Sequence, residues 1–192
     1  SLAAAEIFLA TAICVVLVVD VFISEERRAV TYLLSMIALI GTAGVSALTA
    51  VGGTETTFSG TFVTDPASTA LKLVAYLTIA VVFLYSRDYL RAEGLFKGEF
   101  FVLGLFGLLG LMIIISGNNL LVLYLGLELQ ALSLYALIAF NRDSARAAES
   151  AMKYFVLGAI ASGMLLYGIS LLYGITGTIE LGPLAASLAD PN

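Results

Sequence analysis

Apolar and polar positions fall in long alternating blocks along this chain, and the apolar blocks have the length a bilayer demands. A helix rising 1.5 Å per residue needs about 20 apolar residues to cross the hydrocarbon core. Six stretches approach or exceed that length: residues 2–23, 29–51, 66–85, 100–116, 120–140 and 145–174. The separators are of the opposite character. They read SEERR, a Gly- and Thr-rich segment over 52–64, SRDYLRAEGLFKGE, Ser116-Gly117-Asn118-Asn119, and Asn141-Arg142-Asp143-Ser144. Turn formers over 52–64 predict an exposed loop. Asp65-Pro66 predicts a helix start, with Asp as the N-cap and Pro at the first helical position. Gly174 and Gly177 predict the end of the sixth helix. Beyond them Leu181, Leu184, Ala185 and Leu188 recur at helical spacing with Pro183 near the start, which predicts a short interfacial helix within a tail over 178–190.

Small residues within the spans predict how they pack. Gly104, Gly107 and Gly110 in the fourth, and Gly158, Ser162, Gly163 and Gly168 in the sixth, would let neighbouring helices approach closely. Composition agrees with the block pattern: 60% hydrophobic and 12% charged residues, with mean hydropathy +1.04, describe an all-α integral membrane protein in the lipid bilayer. A net charge of -5 and nine scattered Lys and Arg give nucleic acid nothing to bind. With one cysteine, Cys14, and no histidine, the residues supply no evident ligand set for haem, an iron–sulfur cluster or zinc. No basic n-region precedes the first span, so a cleavable signal peptide is not expected.

Loop charges orient the spans, because cytoplasmic loops collect Lys and Arg. Arg27 and Arg28 fall in the first loop, Arg87, Arg91 and Lys97 in the third, and Arg142, Arg146 and Lys153 in or beside the fifth. The second and fourth loops and the tail carry none. Six spans with both the N-terminus and the tail outside satisfy that alternation. Lys72, two turns into the third span, stands apart. It either snorkels to the headgroups or faces inward with a function.

One acid lies deep in the pattern. Glu128 is roughly 12 Å along the fifth helix from Leu120, near the bilayer midplane, where a charge is expensive and asks for a reason. A rotation of 100° per residue sets Tyr124 and Tyr135 on its stripe, and Gln130 and Ser133 on a different face suited to helix contacts. A carboxylate in low dielectric tends to be neutral unless a cation or water chain stabilises its charge, which makes Glu128 a switchable proton site. The competing reading is a protonated acid that hydrogen-bonds a neighbouring helix. For Tyr124 and Tyr135, relay competes with plain packing, the commoner use of aromatics at helical spacing. Glu149 and Lys153, four apart, suit an exposed helical ion pair.

The stretch from Gly98 to Thr178, GEFFVLGLFGLLGLMIIISGNNLLVLYLGLELQALSLYALIAFNRDSARAAESAMKYFVLGAIASGMLLYGISLLYGITGT, together with SRDYL upstream and the placement of Asp65 and Lys72, resembles the subunit N family of the bacterial proton-pumping NADH:quinone oxidoreductase, complex I. AEIFLA near the start extends the likeness. The resemblance implies an antiporter-like membrane subunit of about fourteen helices, in which a Glu on the fifth helix pairs with a Lys on the seventh. Glu128 matches that Glu. It further implies that residues 1–97 form three N-terminal helices and 98–192 begin the first antiporter-like repeat, the chain being a truncated piece that stops at Asn192. Lys153 and Lys72 do not match the family's partner lysines.

As the resemblance has it, the subunit serves proton translocation while holding no cofactor. NADH, FMN, iron–sulfur clusters and quinone belong to other subunits of the translocase, and its partners are other membrane subunits, antiporter-like ones above all. The implied location is the bacterial inner membrane, multi-pass, with both ends of this chain periplasmic. The alternatives are a subunit of a multisubunit cation/proton antiporter or membrane-bound hydrogenase, or a structural and assembly element, the last chiefly for the first three helices.

Overall fold

A computed structural model describes residues 2–23 and 28–189. Arg27, most of the first loop, Asp190 of the tail and the end at Asn192 lie outside the described residues. The elements in order are α1 (Ala4–Phe22), α2 (Ala29–Leu48), β1 (Glu55–Thr57), β2 (Phe62–Thr64), α3 (Pro66–Ala92), α4 (Gly98–Ser116), α5 (Leu120–Ile138), α6 (Ala145–Thr176) and α7 (Leu181–Ala189). Among the described residues, six helices are long and apolar enough to cross a membrane. The fold is all-α apart from the two short strands, and the chain is a multi-pass membrane protein.

Helix ends follow local chemistry. Asp65 caps α3 as its composition predicts: the Ser68 amide donates to Asp65 Oδ1 at 2.6 Å while the Asp65 amide donates to Ser68 Oγ at 2.9 Å, a reciprocal capping box. Hydrogen bonding by Ser68, its amide first and then its hydroxyl, holds the Asp65 carboxyl below its ordinary value of 3.8. Ser144 Oγ accepts from the Ala147 amide to open α6. Gly177, in the left-handed region at φ 70°, closes it, while Gly174 stays inside the helix. α3 runs seven residues past Tyr85, since SRDYLRA contains no breaker until Gly94 turns left-handed at φ 67°.

The segment 52–64 departs from the exposed loop its turn residues predict. Its Thr- and Phe-Val-containing arms form a β hairpin with Glu55 opposite Thr64, Thr56 opposite Val63 and Thr57 opposite Phe62. Phe62 and Thr64 are buried. β-Propensity in the arms outweighed the general polarity of the segment.

α4 is the centre of the bundle, packed against α1, α2, α3 and α5. Phe101, fully buried on α4, takes the rings of Phe83, Tyr32 and Phe96 edge-on at 5.2, 5.2 and 5.7 Å. Its glycines behave as predicted. A Cβ at Gly104 would meet the Phe83 ring at 2.6 Å, and one at Gly110 would stand 2.7 Å from the backbone of both Gln130 and Gly126 on α5. α6 is packed less within this chain than α4 is. It packs chiefly on α5 and α7, 6% of its span is buried against 44% for α4, and Gly163 and Gly168 face open space. Of the three glycines in that set only Gly158 makes a close approach within the described residues, to Tyr135.

The connections sort to two ends. At one, Asn118 donates from its backbone amide to Thr61 O and from Nδ2 to Gly60 O, both at 2.9 Å, and the Leu120 amide donates to Ile179 O at 2.9 Å. The hairpin, the α4–α5 turn and the α6–α7 linker are thereby tied together. At the other end Arg142 pairs with Glu99 at 3.2 Å, Arg87 lies over Tyr32 at 5.4 Å and Arg91 over Phe96 at 4.9 Å. Basic loops thus share one end and loops without Lys or Arg share the other.

Candidate functional site

The site is built where α5 and α6 meet. α5 starts at Asn119, whose side chain accepts from the Leu121 amide at 2.8 Å, and this cap fixes the register that carries Glu128 two turns and more into the apolar span. On the face turned to α4, Gly126 and Gly110 bring the two backbones together, and Ser133 is buried with its hydroxyl on Leu129 O at 2.8 Å. Gln130 lies on that same contact face through its backbone. The separate faces expected for the acid and for these packing groups are therefore present.

Glu128, half-buried, points to α6. Its Oε1 accepts a hydrogen bond from the Ser162 hydroxyl. Ser162 Oγ in turn lies 2.9 Å from the Tyr124 hydroxyl. An acid, a serine and a tyrosine thus form one hydrogen-bonded chain across two helices. Tyr135 is on the same side of α5 but elsewhere engaged: its ring packs edge-on against Tyr154 at 5.2 Å and Phe155 at 5.6 Å. Its hydroxyl occupies the space left by Gly158. Among the described residues, no hydrogen bond joins Tyr135 to Glu128.

The lysines are not brought to Glu128. Lys153 is exposed and pairs with Glu149 at 2.5 Å, a contact of the kind that contributes little. Lys72 faces inward. Its Nζ lies 2.6 Å from Glu6 Oε1, the two side chains 4% and 9% exposed, and 5.1 Å from the centre of the Phe62 ring. Lys72 is thus turned into the bundle rather than out to the headgroups.

Two residues of these clusters escaped the sequence reading. Glu6 lies near the start of the first span, and nothing local to it points to Lys72. α1 and α3 both begin at the same end of the bundle, so opposite charges near both starts were the available signal. Ser162 was hidden in a stripe of small residues that reads as packing. Among the described residues, no group of three or more His, Cys, Asp or Glu lies together to hold a metal ion.

The chain is thus a multi-pass helical bundle with a hydrogen-bonded carboxylate deep in its fifth span. Residues 117–190 match the family described as NADH:quinone oxidoreductase/Mrp antiporter, TM. The chain is 57% identical to NADH-quinone oxidoreductase subunit N of Thioalkalivibrio sulfidiphilus (strain HL-EbGR7), over 92% of this chain and 37% of that protein. It superposes with TM-score 0.78 on a chain of respiratory complex I from Thermus thermophilus, at 27% identity, covering 93% of this chain and 38% of that one. An archaeal respiratory membrane complex, the membrane-bound sulfane sulfur reductase, shares the fold at TM-score 0.73 and 24% identity, over 96% of this chain and 39% of its own. Likeness to subunit N therefore runs through nearly all of this chain, which spans a little over a third of the length of the relatives it matches.

Proposed function

We propose that this chain is the N-terminal part of a membrane subunit that takes part in proton translocation by an NADH:quinone oxidoreductase, with Glu128 as its intramembrane proton and charge-coupling site. The observation that carries the reading is Glu128 itself. It lies deep in an apolar span, on a face directed to α6 rather than to the packed α4 seam, and a hydroxyl donates to it. An acid so placed can be charged or neutral with little rearrangement, because a hydroxyl serves as donor to one form and acceptor from the other. The long likeness to subunit N, whose relatives carry that name, supplies the machine.

In this reading α1 to α3 form a separate N-terminal part and α4 opens the transport repeat. The basic end faces the cytoplasm of a bacterial inner membrane, as the distribution of Lys and Arg favours, and the hairpin end faces the periplasm. Other antiporter-like subunits are the partners, and flavin, iron–sulfur clusters and quinone sit in other subunits. Glu128→Gln is expected to lower protons pumped per NADH oxidised in a complex that still assembles. Undiminished pumping with Gln overturns the role.

The family description includes Mrp antiporters, and this favours one second reading, a subunit of a multisubunit cation/proton antiporter. Purification with neighbouring subunits separates the two, since only the oxidoreductase brings flavin and iron–sulfur centres with it.

A further inference from the structure

We propose that Ser162 is a positioning residue for Glu128, holding the carboxyl group in one rotamer and linking it to Tyr124 in a switchable hydrogen-bond chain. The inference rests on the reading of Glu128 as the proton site. It begins from what hydroxyls do in this molecule. Serine and threonine inside a helix usually return their hydroxyl to the carbonyl four residues back. Thr11, Thr42, Thr78, Ser133 and Ser150 all do so here, at 2.7 to 2.9 Å. Ser162 departs from the pattern and donates across the helix interface to Glu128 Oε1.

The geometry that permits this is specific. One turn before Ser162, Gly158 has no side chain, and the Tyr135 hydroxyl fills the place a Cβ would take. That close approach of α5 to the α6 backbone brings Ser162 within reach of Glu128. Tyr124, one turn before Glu128, reaches the same Ser162 oxygen at 2.9 Å. When Glu128 is charged, the hydroxyls order as Tyr124 to Ser162 to carboxylate, each donating to the next. When Glu128 holds a proton, its O–H donates to Ser162, and the Ser162 hydroxyl turns to donate to Tyr124. The two states differ by hydroxyl rotation and need no heavy atom to move. A packing serine would have no use for this direction of bonding, and alanine would serve in its place.

The test uses the assembled parent complex, with the infrared carboxyl band of Glu128 identified by its loss in Glu128→Gln. Ser162→Ala removes the donor, so the Glu128 band is expected to move to higher wavenumber and pumping to fall severalfold. Ser162→Thr keeps the hydroxyl and is expected to restore both. A band unmoved in Ser162→Ala, or a threonine variant no better than alanine, overturns the proposal. If the alanine variant does not assemble, Ser162→Cys replaces it. Its weak S–H donor predicts a smaller shift in the same direction, and no shift overturns the proposal. The outcome is separable from the function assigned to Glu128. A shifted band alongside full pumping in Glu128→Gln leaves the positioning role standing and removes the pumping role. A pumping defect in Glu128→Gln with no band shift in Ser162→Ala does the reverse.

Discussion

Buried charge at single residues divides this chain into two kinds of site. Glu6 and Lys72 meet as a tight buried pair, 7% and 3% exposed, whereas Glu128 is half-buried and bonded to a neutral hydroxyl. A pair of the first kind is held by mutual neutralisation, and removing one partner strands the other in low dielectric. Lys72→Met alone is therefore expected to lower stability by about 3–5 kcal/mol, and Glu6→Leu added to Lys72→Met to recover most of that loss. Thermal unfolding of the four members of the cycle in detergent checks it, and equal losses in the single and double variants would deny the pairing. Asp65 gives a pH-dependent counterpart at the surface. Its carboxyl is held below 3.8 by the Ser68 amide, so the cap contributes fully above the unfolded value and is lost as pH falls through the lower folded one. The stability difference between the native chain and Asp65→Ala should be constant well above pH 3.8 and shrink in acid, while Asp65→Asn, a good cap without a charge, should show no such titration. Both clusters were half legible beforehand. Asp65-Pro66 announced its helix start because a cap is a local event. The partner of Lys72 was not announced, because 66 residues separate it from Glu6 and only the fold brings them together.

At the scale of elements, the spans were readable because block length and hydropathy are properties of contiguous residues, and so were the glycines of α4. In α6 the small residues are used less within this chain, for a complementary reason. Small residues license close approach without requiring it, and only a neighbour's backbone decides which glycines are used. Gly110 and Gly163 make that distinction measurable. A methyl at Gly110 would meet the backbone of Gln130 and Gly126 at 2.7 Å, where nothing flexible can yield. Gly110→Ala is thus expected to push α4 from α5 and to lower stability by about 1–3 kcal/mol. Gly163→Ala meets nothing within 4 Å in this chain and should be neutral, or stabilising by up to about 1 kcal/mol through helix propensity. Unfolding of both variants side by side in detergent reads the difference, and an equal response would mean that backbone proximity between α4 and α5 does not discriminate them. The hairpin likewise depends on contacts distant in sequence. Its turn residues are real, with Gly60 left-handed at φ 87°, yet its arms are short and gain their order from Asn118 and from burial of Phe62, whose strand packs on α4.

For the molecule as a whole, the two ends differ in chemistry and in how they are held. The end carrying the hairpin is joined mainly by backbone hydrogen bonds among three connections, and the opposite end by arginines on a carboxylate and on aromatic rings. Lys and Arg at a cytoplasmic face resist translocation during insertion, so this asymmetry predicts the orientation and not merely the number of spans. It can be read with single cysteines, because the one native cysteine, Cys14, can be replaced by serine without disturbing a buried contact. In that background Glu55→Cys, on an exposed hairpin position, is expected to react with a membrane-impermeant thiol reagent added to cells with a permeabilised outer membrane. Asp143→Cys, exposed between α5 and α6, is expected to react only after the inner membrane is broken. Exchange of the two patterns would invert the molecule. Labelling of both from the same side would be the graver result, since an odd number of spans separates the two positions and only a helix that fails to cross could bring them to one face.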